Sequence, residues 1–184
     1  MSVVEVVEKE VAVPGDVQLT VKDRFIEVKG PRGIVSEDLS HLPVEITQKG
    51  NKVAVKVTWP RKREVAFVGT AASLIANMIK GVTQGFTYKL KVVYAHFPTT
   101  IKIDKGKRLL TIENFMGEKV PRRVTIVGDA DVQVQGDEVI VKGIRLQDVS
   151  QTAANIERAT KIKKKDQRVF LDGVYVYTKR EEAS

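Results

Sequence analysis

The chain has 184 residues, with 31 Lys or Arg against 23 Asp or Glu and a formal net charge of +8, which favours a polyanionic partner. Cysteine is absent, which excludes a disulfide framework, a thiolate metal site and a thiol nucleophile. The first ten residues lack the pattern of a secretory signal and no apolar run approaches the roughly 18 residues of a membrane span, so we expect no membrane partner.

The first half of the chain has the pattern of short strands followed by one helix. Alternating apolar residues predict strands near 17–21, 25–29, 44–46 and 53–57. The segment Gly30-Pro31-Arg32-Gly33 matches the short loop pattern of KH domains, but its flanking strands favour a β-turn. Residues 65–80 then show helical spacing, and Gly81 is predicted to end that helix. One face of the helix holds Phe67, Ala71, Leu74, Ile75 and Met78.

The second half repeats this order. Strands are predicted near 100–103, 109–113, 124–127, 132–134 and 139–142. A helix follows, with Val149, Ala153 and Ile156 on one face, and residues 174–177 predict a final strand. The apolar stretch 88–97 fits a strand of either half.

Sequence similarity between the halves predicts an internal duplication. Residues 70–75 resemble 152–157 at a spacing of 82, and residues 25–33 align with 109–117 at a spacing of 84. A period this long indicates two copies of one small domain rather than a solenoid. We predict an α+β protein with domains at 1–84 and 85–184, each an antiparallel sheet with one helix packed on one face.

The two predicted domains differ in charge. Residues 1–84 hold 12 Lys or Arg against 10 Asp or Glu, a net of +2, whereas residues 85–184 hold 19 against 13, a net of +6. Six of the eleven residues in 158–168 are cationic: Arg158, Lys161, Lys163, Lys164, Lys165 and Arg168. Phosphates neutralise such a cluster with release of condensed counterions, so we predict nucleic-acid contact here. The alternative is a solvated loop without a partner.

Two smaller basic groups are further candidates. Lys119, Arg122 and Arg123 follow Asn114 and Phe115, an arrangement that suits a shallow RNA groove, although core packing of Phe115 is an open alternative. Arg61, Lys62 and Arg63 lie beside Trp59 and form a third patch, for which a solvated helix start is the alternative.

Catalytic and metal chemistry have little support in the sequence. His41 and His96 are the only histidines, and they occupy non-equivalent places in the repeat. No acid, base and nucleophile form a recognisable pattern, and no glycine-rich phosphate loop is present. We expect no enzyme activity, no cofactor and no metal site.

Several segments together resemble a known family. They are Lys29-Gly30-Pro31-Arg32-Gly33, residues 77–86, Tyr94-Ala95-His96-Phe97-Pro98, residues 114–119, Gln151-Thr152-Ala153-Ala154 and residues 165–176. The chain resembles the family of protein six of the large ribosomal subunit, and is most similar to its archaeal and eukaryotic branch, whose eukaryotic member is numbered nine.

The resemblance implies two duplicated α+β domains that bind large-subunit rRNA, chiefly through the second. It also implies a cytoplasmic, ribosome-bound location beside the sarcin–ricin loop, near the stalk base and other ribosomal proteins, where translational GTPases dock. By the same resemblance Lys161, Lys163, Lys164, Lys165 and Arg168 face RNA phosphates, and Lys119, Arg122 and Arg123 form a second contact.

Two functional hypotheses follow. The first is a structural ribosomal protein that recognises RNA by its phosphates and shape, because an aromatic content of 6% argues against stacking on single strands. The second is a basic protein–protein adaptor of a ribonucleoprotein, whose near-neutral first domain docks other proteins while RNA contact is incidental.

Overall fold

A computed structural model of the chain describes residues 6–163, 165–166 and 168–181, without the side chains of residues 180 and 181. By its internal contacts the chain divides into two compact units, residues 1–84 and residues 85–184. Each unit combines antiparallel sheets with one α-helix, which confirms the predicted α+β class. The antiparallel strands of each unit form two sheets, where the sequence had predicted one.

The described residues 6–84 of unit 1 form six strands and a long helix. In chain order these are β1 (Val6–Ala12), β2 (Gln18–Lys22), β3 (Phe25–Gly30), β4 (Gly33–Asp38), β5 (Glu45–Lys49), β6 (Lys52–Thr58) and α1 (Lys62–Thr83). One sheet has the order β1-β6-β5 and the other has the order β2-β3-β4. Helix α1 packs against strands of both sheets, so the core of unit 1 lies along this helix.

Helix α1 is longer than predicted at both ends. It continues past Gly81, because Gly81 and Val82 are buried in the core of unit 1. Its C-cap is Gln84, and the glycine that leaves the helix is Gly85, with φ of +78°. A left-handed glycine at the position after the C-cap is a common helix end. The prediction that Gly81 ends the helix is therefore wrong, and its stop signal lies four residues later.

By length and composition alone, α1 is apolar enough to cross a membrane, which corrects the expectation that no such run exists. Burial of α1 within unit 1 is another explanation of its apolar composition. Val68, Ala72, Ile75 and Ile79 are buried among the strands of unit 1. A helix buried on more than one side is apolar over most of its surface, as a core helix requires.

Unit 2 contains the remaining strands and a shorter helix. In chain order these are β7 (Phe86–Val93), β8 (Thr100–Asp104), β9 (Leu109–Glu113), β10 (Arg122–Thr125), β11 (Asp131–Gln135), β12 (Glu138–Gly143), α2 (Leu146–Ala159) and β13 (Gly173–Glu181). Its sheets have the orders β10-β9-β8 and β11-β12-β7-β13. Residues 88–93 of the ambiguous stretch 88–97 therefore lie in a central strand of unit 2, and residues 94–97 follow it as a connection.

The predicted internal duplication is confirmed element by element. Strands β1 to β6 and helix α1 recur in the same order as β7 to β12 and α2, and the sheet order β1-β6-β5 recurs as β7-β12-β11. Strand β13, which pairs with β7, has no counterpart among the described residues 6–84 of unit 1. The two units thus share one plan to which the second adds a strand.

Helices α1 and α2 align structurally at a spacing of 81 residues, rather than at the 82 suggested by the similar sequences of residues 70–75 and 152–157. At 81, Val68 aligns with Val149 and Ile75 with Ile156, and all four are buried. At 82, buried Ile75 would align with exposed Glu157. Of the predicted core face of α1, Ala71, Ile75 and Met78 are buried, whereas Phe67 and Leu74 are only half-buried.

The β3–β4 turn contains the Gly30-Pro31-Arg32-Gly33 segment that matches the KH loop pattern. This turn packs against the end of α1. The Arg32 N–H donates to the Val82 carbonyl at 3.0 Å. A Cβ atom on Gly30 would lie 2.7 Å from Cγ2 and 2.9 Å from the carbonyl oxygen of Val82. Only glycine permits this approach, so the glycine of the β-turn has a packing role.

Gly30→Ala is accordingly expected to lower the free energy of unfolding of unit 1 by about 2 kcal/mol, because backbone and side chain of Val82 must both shift. Gly15→Ala is the matched control, since nothing lies within 4 Å of a Cβ atom there. Thermal unfolding followed by fluorescence of Trp59, which lies in unit 1, measures the difference. Equal midpoints for the two variants would contradict the close approach.

Candidate nucleic-acid interface

Three connections of unit 2 meet around the predicted site. They are residues 94–99 between β7 and β8, residues 114–121 between β9 and β10, and residues 160–172 between α2 and β13. In unit 1 the β3–β4 connection is only two residues long. The candidate residues of unit 2 thus lie mainly where this unit departs from the shared plan.

Asp172 joins two of these connections. Its side chain is 1% exposed, and it accepts hydrogen bonds from the N–H groups of Ala95 and His96 at 2.8 and 3.3 Å. The ring Nδ1 of His96 lies 2.9 Å from the second carboxylate oxygen. Burial raises the pKa of Asp172, but the hydrogen bonds from Ala95 and His96 outweigh it and hold that pKa below its ordinary value.

We call the contact of Asp172 with Ala95 and His96 the clasp, and residues 158–168 the basic segment. An aromatic stack extends from the clasp to the basic segment. The ring of His96 stacks on Phe170 with centroids 5.0 Å apart. Nζ of Lys165 lies 4.6 Å from the centroid of Phe170. The stack and Asp172 together fix the outer part of the 160–172 connection, so the basic segment has a defined support.

Asp166, the single acid of the basic segment, shapes the backbone. Its carboxylate accepts a hydrogen bond from the Arg168 N–H at 2.9 Å. Its carbonyl accepts bonds from the N–H groups of Val169 and Phe170 at 3.2 and 3.0 Å. The acid therefore forms a turn, and no ion pair within the described residues joins it to a neighbouring cation.

Phe115 does not have the predicted role. Its side chain is 1% exposed and belongs to the core of unit 2 with Leu110 and Ile112. A buried ring has no face to offer to a base, which corrects the prediction that Phe115 contacts RNA and favours its core alternative. Asn114, with φ of +57°, is exposed and donates through Nδ2 to the Pro98 carbonyl at 3.0 Å.

Arg122 is also engaged within the protein. Its Nε and Nη2 donate to the Glu118 carboxylate at 2.8 and 2.5 Å, and its Nη1 donates to the Ala159 carbonyl at 2.6 Å. The guanidinium carbon lies 4.3 Å from the Phe115 ring centroid. These bonds occupy the fork that was predicted to bind phosphate and instead tie the 114–121 connection to the end of α2.

The remaining predicted cations of unit 2 are exposed. They are Arg158, Lys161, Lys163, Lys165 and Arg168 near the end of α2, with Lys119 and Arg123 near β10. Lys164 lies outside the described residues. Within the part of unit 2 that the structure describes, none of these seven cations forms an ion pair with a carboxylate.

Several cations elsewhere in unit 2 pair with carboxylates. Lys102 contacts Glu113 at 2.7 Å, and Lys105 contacts Asp131 at 3.1 Å. Lys107 lies 3.9 Å from Asp104. Positive charge without a local partner is therefore concentrated near the 160–172 connection, which suits an external anion.

Arg61, Lys62 and Arg63 are exposed at the start of α1 in unit 1, with Arg61 as the N-cap. The helix dipole disfavours cations at this end. The Arg61 N–H donates to the Glu64 carboxylate at 2.7 Å, which supplies the acid that the first turn favours. Trp59 nearby is 65% exposed. Helix stability thus does not explain these three cations.

A cavity of about 710 Å³ in unit 1 is lined by none of these candidate residues. Its lining includes Lys22 and Arg24 together with Asp23, Asp38 and Glu45. Charges of both signs give it no preference for a polyanion, so it is not a nucleic-acid site. Among the described residues no three His, Asp or Glu side chains gather in a metal-binding group.

The sequence did not predict the contacts that join His96 to Asp172 and to Phe170. All three residues lie in the segments 94–98 and 165–176 that carry the family resemblance. His96 and Asp172 are 76 residues apart along the chain, so neither segment by itself indicates that these residues are in contact.

Asp172→Asn is expected to lower the free energy of unfolding by about 2 kcal/mol at about pH 7, because an ionised acceptor of buried hydrogen bonds is replaced by a neutral one. The folded-state pKa of Asp172 is depressed. Its stabilisation is thus present above the unfolded-state pKa of about 4 and is lost as pH falls through the folded-state value.

The difference in urea midpoint between Asp172→Asn and the wild-type chain should therefore narrow below about pH 4. Asp137→Asn, at an exposed turn of the same unit, is the control. A difference that stays constant across the acid range would show that the carboxylate charge does not stabilise the clasp.

Similarity to known proteins covers nearly the whole chain. A family model described as ribosomal protein L6 matches residues 13–85 and 97–173, one segment in each unit. The large ribosomal subunit protein uL6 of Staphylothermus marinus is 46% identical over 176 residues, covering 95% of this chain and 95% of the relative. That of Archaeoglobus fulgidus is 48% identical over 177 residues, covering 94% and 89%. That of Methanobrevibacter smithii is 44% identical over 179 residues, covering 97% and 99%.

Proposed function

The chain belongs to the ribosomal protein L6 family, and from this we propose that it is a structural constituent of the large ribosomal subunit that binds large-subunit rRNA by phosphate contacts and RNA shape. This role is structural rather than catalytic and locates the chain on cytoplasmic ribosomes. The relatives are archaeal, in agreement with the branch that the sequence resembles.

One observation carries the RNA-binding part of the proposal. Exposed cations without a carboxylate partner among the described residues gather near the 160–172 connection, whereas Lys102 and Lys105 elsewhere in unit 2 are paired. Exposed ammonium and guanidinium groups displace condensed counterions from the phosphates of a folded RNA when they bind it. The clasp at Asp172 holds the support of these groups in place, which favours recognition of a fixed RNA shape.

Seven described cations of unit 2 are proposed as phosphate contacts: Arg158, Lys161, Lys163, Lys165, Arg168, Lys119 and Arg123. Lys164 belongs to the same proposal through its place in the sequence. Arg61, Lys62 and Arg63 are proposed as a separate contact of unit 1. Asn114 is exposed and is proposed as a minor contact, since its side-chain Nδ2 already bonds the Pro98 carbonyl.

Binding of the full chain to purified large-subunit rRNA, with small-subunit rRNA as competitor, tests the proposal. We expect the large-subunit RNA to bind at least about tenfold more tightly, with an affinity that falls steeply with salt. Equal affinity for both RNAs would leave only non-specific attraction. Absent binding would favour the alternative of a protein adaptor.

The finer part of the proposal places unit 2 beside the sarcin–ricin loop, near the stalk base and the docking region of translational GTPases. The absence of cysteine makes a direct test possible. A single Lys163→Cys substitution carrying a tethered iron chelate should direct hydroxyl-radical cleavage to the sarcin–ricin loop in assembled subunits. The same probe at Lys105→Cys, on the paired part of unit 2, is the control. Strong cleavage only elsewhere in the RNA would refute this placement.

A further inference from the structure

A cavity of about 570 Å³ opens beside the C-terminal end of α2. Its lining comes from the last turns of α2, both ends of the 160–172 connection and Tyr175 of β13, and includes Arg158, Lys161 and Leu171. A volume of this size suits a small molecule or a single nucleotide. In unit 1 the equivalent helix leads through Gln84 directly to the next strand, so the connection that forms this cavity belongs to unit 2 alone.

Tyr175 presents a fixed aromatic surface in this cavity. Its hydroxyl donates to the Leu171 carbonyl at 3.2 Å. The outer end of its ring lies so close to Gly173 that a Cβ atom there would be 2.8 Å from Cζ. Yet the residue is 44% exposed. The ring is thus held by its hydroxyl and by Gly173 while much of its surface remains open, which lowers the entropy that stacking would cost.

The charged groups around the ring are suited to a nucleotide. Arg158 and Lys161 line the cavity, and neither pairs with a carboxylate among the described residues. Glu157 also lines it and likewise forms no ion pair there, so its carboxylate is available as a hydrogen-bond acceptor. Two cations suit a phosphate on each side of a nucleoside, and a carboxylate suits an exocyclic amino group.

We propose that this cavity binds one unstacked nucleotide of the RNA, with its base against Tyr175 and its flanking phosphates at Arg158 and Lys161. The inference rests on the proposed rRNA binding and deepens it, because it adds a stacking contact to recognition by phosphates and shape. Loops and bulges of folded RNA supply such bases, and stacking on an aromatic ring is their usual mode of capture.

The test compares two tyrosines of β13 in the full chain. Tyr175→Leu removes the aromatic surface, and Tyr177→Leu is the matched control, because Tyr177 is 51% exposed on the same strand and bonds Glu138 away from the cavity. Affinity for purified large-subunit rRNA is measured across a salt series. Tyr175→Leu is expected to lower affinity about tenfold without changing the salt slope, since stacking involves no counterions.

Tyr175→Phe keeps the ring and loses only the bond to Leu171, so it is expected to retain affinity within about threefold. Thermal unfolding of each variant separates a folding defect from a binding defect. Ultraviolet crosslinking of the wild-type complex, followed by mass spectrometry, should attach a nucleotide to the peptide containing Tyr175.

The outcomes are distinct. Wild-type affinity for Tyr175→Leu, with a steep salt slope retained, would overturn the nucleotide cavity and leave the proposed function intact. A loss of affinity that Tyr175→Leu and Tyr177→Leu share equally would also overturn it, since the effect would not belong to the cavity. Failure of the wild-type chain to prefer large-subunit rRNA would overturn both proposals.

Discussion

Replacing Lys163, Lys165 and Arg168 together by alanine is expected to lower affinity for large-subunit rRNA about 100-fold at about 0.1 M salt. The same variant should make the slope of log affinity against log salt shallower by about 2 to 3. Each phosphate that is no longer contacted keeps its condensed counterions, so fewer counterions are released on binding. All three side chains are exposed and lie outside the lining of the cavity beside α2. Filter binding across a salt series measures both quantities.

The control removes the same charge from another part of unit 2. Lys102, Lys105 and Lys107 are exposed but paired with Glu113, Asp131 and Asp104. Their triple alanine variant should leave the slope within about 1 of the wild-type value, and loss of surface pairs costs little stability. If both triple variants reduced the slope equally, binding would depend on total charge and not on the proposed contacts.

Phe115→Ala is expected to lower the free energy of unfolding of unit 2 by about 4 kcal/mol. The substitution leaves a large void beside Leu110 and Ile112 and removes the ring under the Arg122 guanidinium. Since the single tryptophan, Trp59, lies in unit 1, its fluorescence does not report on this change. Hydrogen exchange of peptides from unit 2 gives the local measurement.

Phe25→Ala is the matched control, because that ring is 44% exposed and its removal should cost about 1 kcal/mol or less. Phe115→Leu keeps an apolar side chain in the core, so it should retain rRNA affinity within about twofold. A selective loss of RNA affinity by Phe115→Leu, with stability unchanged, would restore the direct RNA contact that the buried position of the ring argues against.

The sequence carried enough information for the architecture because duplication repeats each signal. Alternating apolar residues located β3 and β9 independently, and their alignment supported both assignments. Helix boundaries were less accurate. Gly81 carries the usual stop signal, but burial of Val82 extends α1 to Thr83, and burial depends on strands distant in the chain. The one-residue error in the alignment of α1 with α2 also arises because burial depends on distant strands. Sequence similarity between two helices does not show which face of each is buried.

Among the candidate residues, charge alone located the exposed cations of 158–168, because a dense cationic run is a local property of the chain. The roles of Arg122 and Phe115 were not local. Arg122 bonds the Ala159 carbonyl 37 residues away, and Phe115 lies in the core below it. The sequence predicted a phosphate contact for Arg122 and left both an RNA contact and core packing open for Phe115.

By itself, the sequence determined the duplicated α+β plan, the concentration of positive charge in the second half and the family resemblance, since composition and periodicity are written along the chain. Only the tertiary structure decided which cations are engaged internally, how Asp172 clasps Ala95 and His96, and that Tyr175 lines one cavity with Arg158 and Lys161. These arrangements depend on contacts between residues far apart in sequence, whose geometry is fixed by core packing and not by local propensity.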